Sequence, residues 1–121
     1  MSKHGTVRQR HIDQFVSLLM LDSGPNVFNP WNERDELNDS TLNGPGARVA
    51  RLLAHLQTGA KRILLGEAAG YQGCHVSGIP FTSERVIMAG MVPRVSCEGR
   101  RLSTRSLPWS EPSATTVWKA L

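Results

Sequence analysis

Glu67, Tyr71 and Phe81 are the side chains whose types and spacing best suit chemistry on a planar ligand. They lie in the stretch Ile63–Arg85, ILLGEAAGYQGCHVSGIPFTSER. Glu67 follows directly on an apolar run, Ile63-Leu64-Leu65, and on Gly66, so a carboxylate arrives at the end of what reads as a buried strand. There it either positions a water and accepts hydrogen bonds from a ligand, or satisfies nearby backbone N–H groups. Glycines at 66, 70, 73 and 78 let the backbone approach a ligand closely and leave N–H groups free for anions. No GxGxxG and no GK[ST] is present, which excludes the dinucleotide fingerprint and the Walker phosphate loop. Phe81 follows Gly78-Ile79-Pro80 and precedes a helix start at Thr82-Ser83-Glu84. Its ring either stacks on a planar ligand or belongs to the core. Tyr71 either closes over a pocket or is a surface tyrosine.

Cys74, His75 and Cys97 lack the spacing of a zinc finger and do not supply four ligands, so no metal is expected. The two cysteines have no CxxC pairing and suggest no disulfide framework. Charge is uneven: residues 1–60 carry six basic and six acidic side chains, and residues 61–121 carry eight and four, the whole of the net +4. Arg94, Arg100, Arg101 and Arg105 fall within twelve residues. Such a cluster fits either contact with a polyanion or a solvated loop. No run approaches the ~18 apolar residues of a membrane span, and Val16–Leu21 is too short and broken for a signal peptide. No membrane partner and a cytoplasmic location are expected.

These residues need elements to position them. Residues 1–7 read as a frayed start. Ile12, Phe15, Val16 and Leu19 then repeat at i, i+3, i+4 and i+7, predicting a helix over about 8–22 that Ser23-Gly24-Pro25 ends. Residues 26–46 read as a loop pinned by Phe28 and Trp31. Val49, Leu52, Leu53 and Leu56 predict a helix over 48–58, with Pro45 near its first turn and Gly59 past its end. Arg62–Leu65 reads as a buried strand, completing a helix–loop–strand unit of layered α/β folds. A helix is expected from Thr82 or Ser83 to about Ala89 with Gly90 as its stop. Val92/Val95 and Leu102 read as short strand pieces without a fixed register, and a last helix opens at Pro112.

Gly66-Glu67-Ala68-Ala69-Gly70 followed by Ser77-Gly78-Ile79-Pro80-Phe81-Thr82-Ser83-Glu84 resembles the first motif of the uracil-DNA glycosylase superfamily, in the bacterial form GEAPGYxGC…SGIPFTSE. The upstream FNPW, Phe28–Trp31, is similar to the same group, and the resemblance extends over roughly residues 12–121. It implies a three-layer α/β/α sandwich around a parallel sheet, and hydrolysis of the N-glycosidic bond of uracil or a related damaged base flipped out of DNA. By the same resemblance, Phe81 stacks on the base and Glu67 lies beside the base and the attacking water. Backbone N–H groups around Ala68–Tyr71 face the base's carbonyl oxygens. Ala69 stands where proline is usual, and Ala68 where several branches carry Asp or Asn, leaving Glu67 as the acidic candidate.

The family's later Asn-bearing strand and His-bearing loop do not occur. Residues 1–121 are therefore expected to be the N-terminal part of a single α/β domain, an incomplete sandwich with weak excision at most. Two cysteines do not supply the four that bind an iron–sulfur cluster in one branch, so no cofactor is expected. The partners expected are DNA containing a damaged base, through Arg94, Arg100, Arg101 and Arg105, and either a missing C-terminal part or a second copy. Self-association would use an open sheet edge and an uncovered stripe of Val117, Trp118 and Leu121. The alternative is a nucleic-acid- or nucleotide-binding fragment without catalysis.

Overall fold

Thr6 opens the first helix, α1 (Val7–Leu19): its backbone is extended and its hydroxyl accepts the Gln9 N–H at 3.1 Å, one of the orphan donors of a helix start. The computed structural model describes residues 6–121; of the expected frayed start, residues 1–5 lie outside it. α1 is shorter than its pattern predicts, because the loop behind it captures its end. The Asn29 side-chain amide donates to the carbonyls of Leu19 (2.7 Å) and Leu21 (2.9 Å), and Asn32 donates to Met20. Val16 is buried on its apolar face, whereas Phe15 is 51% exposed.

The second helix, α2 (Pro45–His55), starts with proline in its first turn and buries Leu52. Its most buried residue is Arg48, with no exposed surface. Nε donates to the Pro30 carbonyl (2.5 Å), Nη2 to the Glu33 carbonyl (2.7 Å) and Nη1 to Asp39 (2.7 Å). A buried guanidinium requires such full pairing, and here the pairing folds residues 29–39 onto α2.

The expected parallel sheet is not formed. Among the described residues there is no strand ladder, only one antiparallel bridge between Asp39 and Ser103, flanked by bonds from Ser40 N to Leu102 O and from Thr104 N to Asn38 O, both 2.9 Å. The α/β sandwich is therefore not formed, and the structure is mainly short helices joined by long loops. Ile63, Leu64 and Leu65, expected inside a sheet, are 83%, 59% and 84% exposed. No neighbouring strand meets their backbone N–H and C=O groups, and a lone strand has no stability of its own. Of the strand pieces expected further on, Leu102 lies beside the bridge.

Three more helices follow: α3 (Cys74–Ser77), α4 (Glu84–Met88) and α5 (Pro112–Ala120). Val76, Ile79, Val86, Ile87, Val92, Val95, Leu102 and Ala114 form the core, with Trp109 and Trp118 against it. The expected open stripe on the last helix is thus only partly present. Leu121 is 83% exposed, but Trp118 packs on the core and donates its indole N–H to Thr82 Oγ1 at 3.0 Å. Gly78 ends α3 in the left-handed conformation (φ 82°), where a Cβ would come within 2.6 Å of Arg48 Cβ. Only glycine permits that turn against α2.

Candidate functional site

The loop 66–81 is held at its second half. Trp31 donates its indole N–H to the Gly78 carbonyl at 2.9 Å, and Phe28 stacks on His75 with ring centroids 4.1 Å apart. His75 Nε2 lies 2.9 Å from Asp35 Oδ2. Burial raises the pKa of Asp35, but hydrogen bonds from Asn38, His75 and the amides of Asn38 and Leu37 outweigh it and hold the carboxyl below its ordinary value. The FNPW segment and the SGIPF segment are therefore in contact, although far apart in sequence. An open cleft of about 370 Å³ lies beside them, lined by Leu18, Leu21, Phe28, Asn29, Trp31 and Ala69 among others.

Phe81 has φ 58°, a conformation uncommon for an aromatic residue. Strained residues of this kind cluster at functional sites. The strain is locked in by its neighbours: Ser77 Oγ donates to the Thr82 carbonyl at 2.7 Å, and Thr82 Oγ1 donates to the Pro80 carbonyl at 2.9 Å. The half-buried Phe81 ring points its tip at Gly66, where a Cβ would lie 3.2 Å from Phe81 Cζ. Gly66 precedes Glu67, so the loop's two ends meet at the ring. Glu67 and Ala68 are exposed, and Glu67 makes no hydrogen bond or ion pair with a described residue. Of the base-binding candidates, Phe81 meets Gly66, the neighbour of Glu67, and Ala68 does not line the cleft, which its neighbour Ala69 borders. The cleft's lining includes neither Glu67 nor Phe81.

Tyr71 points elsewhere, with its ring edge-on to Trp109 at 6.1 Å. The Glu111 carboxylate packs against Gly70 and Gly73, and a Cβ on Gly73 would collide with it. Cys74 is buried, and burial with the nearby Glu111 pushes its thiol up to about 12, so it supplies no thiolate at neutral pH.

The four arginines divide. Arg100 is exposed, and Arg94 is exposed while donating to the His55 carbonyl at 2.9 Å. Arg105 is exposed and lies over the Trp109 ring, 4.2 Å from its centroid. Arg101 is engaged internally: it pairs with Glu84 at 3.0 Å and donates to the Arg105 carbonyl at 2.7 Å. Glu84 has no exposed surface and also accepts the amides of Leu102 (2.6 Å), Ser103 (2.9 Å) and Trp109 (2.8 Å). One carboxylate thereby shapes the 101–109 segment that carries Arg105 and Trp109. Sequence reading did not single out Trp109, yet Arg105 four residues ahead of it was an available basic–aromatic signal.

No family model, curated protein or solved structure matches the chain. No helix among the described residues is long and apolar enough to cross a membrane.

Proposed function

We propose that the chain binds DNA at an unstacked base and excises uracil or a related damaged base from it. The observation that carries this reading is Phe81, an aromatic ring held on a left-handed backbone with its tip at Gly66, next to Glu67. Its sequence setting is the glycosylase-like SGIPFTSE, which adds the nature of the ligand. The base stacks on the Phe81 ring, the amides of residues 68–71 face its carbonyl oxygens, and Glu67 orients a water toward the sugar C1′. The water oxygen bonds to C1′ as the bond from C1′ to the base nitrogen breaks. The bonding pair leaves on the base, where the loop amides offset the developing charge, and Glu67 takes the water proton. Arg94, Arg100 and Arg105 contact phosphates.

Binding without excision is the second reading, favoured by the exposure of Glu67 and its lack of a described partner. Release of uracil from a single-stranded, uracil-containing oligonucleotide separates the two. Excision predicts release that Glu67→Gln lowers by about 100-fold or more while DNA binding persists. Binding with no release leaves the second reading. Equal binding of uracil- and thymine-containing strands, with no release, overturns both as accounts of the loop.

A further inference from the structure

We propose that Tyr71, Trp109 and Arg105 form a second platform, which takes a nucleotide neighbouring the one at Phe81 and holds single-stranded DNA by stacking as well as charge; this rests on the reading of loop 66–81 as a base site. Arg105 lies over Trp109 with its guanidinium carbon 4.2 Å from the ring centroid, and Tyr71 meets the same ring edge-on at 6.1 Å and 82°. Arg105 is exposed and in no ion pair with a described residue, and Tyr71 is 67% exposed. An aromatic ring and a guanidinium are the two surfaces on which unpaired bases stack. Tyr71 stands nearly perpendicular to Trp109 rather than parallel to it, so the platform does not extend a stacked duplex. That geometry suits a strand whose bases are already splayed.

The platform is built in advance of any ligand. The Trp109 amide donates to the fully buried Glu84, the Trp109 carbonyl accepts from Arg85 N at 3.0 Å, and the Arg105 carbonyl accepts from Arg101. The Trp109 indole N–H is buried with no acceptor among the described residues. Such a donor is unfavourable, so the backbone clamp and the contacts with Arg105 and Tyr71 hold the ring, not a side-chain hydrogen bond. Residues 61–121 carry the chain's basic excess, the sign that DNA requires, with the Glu111 carboxylate beside Gly70 and Gly73 as the opposing charge near Tyr71.

The test is binding of a fluorescent oligothymidylate, measured by anisotropy beside an abasic strand of the same length. Arg105→Lys keeps the charge but loses the planar fork, and Tyr71→Ala removes an exposed ring; circular dichroism checks that both variants fold. Each is expected to weaken oligothymidylate binding about tenfold, as loss of one stacked base does. The wild type should bind the abasic strand more weakly, with little change in either variant. Wild-type affinity in Arg105→Lys, equal binding of the abasic strand, or equal displacement by polyglutamate would each overturn the proposal, the last by pointing to a basic surface without base recognition. Phe81→Ala separates this platform from the first site: it should abolish preference for a uracil-containing strand and leave the Tyr71 and Arg105 effects in place. Absence of that preference in the wild type, with those effects intact, would sink the Phe81 reading alone.

Discussion

Replacing Glu84 by glutamine removes the charge that holds the 101–109 segment, and the donors around it set the size of the loss. Oε2 accepts from the Leu102 and Ser103 amides and from Arg101 Nε; Oε1 accepts from the Trp109 amide, the Ser103 hydroxyl and Arg101 Nη2. Glutamine keeps one oxygen and places an NH2 group on the other side. Whichever way it turns, at least one backbone N–H then faces a donor. A buried amide without an acceptor costs about 1–3 kcal/mol, and breaking a buried ion pair about 3–5 kcal/mol. Arg101's side chain is 30% exposed and regains water, so the smaller figure applies to the pair. The two contributions overlap, giving a combined loss of about 3–5 kcal/mol, a large part of a typical ~5–15 kcal/mol. Urea unfolding followed by circular dichroism measures it.

The pH dependence supplies a second readout of the same variant. Burial raises the Glu84 pKa, but hydrogen bonds from Arg101, Ser103 and the Trp109 and Ser103 amides outweigh it, leaving the carboxyl below its ordinary 4.5. A lowered folded-state pKa gives stability that is complete above the unfolded value and is lost as pH falls through the folded one. The wild type should therefore weaken in acid below about pH 4.5, and Glu84→Gln should lack that component. A loss under about 1 kcal/mol, outside the range expected for unpairing a buried ion, with an unchanged acid profile, would refute the reasoning.

Gly78→Ala should lower stability by roughly 2–4 kcal/mol, from the left-handed backbone and the collision with α2; an unchanged thermal midpoint would contradict the close approach. Arg100→Ala should reduce the salt slope of DNA binding by about one and leave stability alone, whereas Arg101→Ala should destabilise by freeing Glu84, as urea titration can measure. Leu65→Asp should change stability by no more than about 0.5 kcal/mol, as at any exposed position. A large loss there would restore a buried strand.

The helices were legible where periodicity and punctuation agree. α2 carries Leu52 and Leu53 on its apolar pattern between Pro45 and Gly59, and α4 stops before Gly90, which has φ 72°. Ile63–Leu65 was not legible, because a short apolar run is the same string whether neighbours cover it or not. Arg48 and Glu84 left no local signal either: such residues are mostly exposed, and their partners, Pro30, Asp39, Ser103 and Trp109, come from distant loops. Within the site, the glycines marked a loop but not its contacts: the Phe81 ring tip reaches Gly66, and neither Phe81 nor Glu67 borders the cleft. The turning of Tyr71 toward Trp109 depends on how residues 101–111 pack, which no short motif encodes.

The most direct measurement is an amide NMR titration of the chain with a short single-stranded oligonucleotide carrying one deoxyuridine. The largest shifts should fall on Gly66–Tyr71 and on Phe81, with a second set at Arg105 and Trp109, and thymidine in place of deoxyuridine should diminish the first set alone. Shifts spread evenly over exposed arginines, with residues 66–81 unmoved, would contradict the reading of loop 66–81 as a base site.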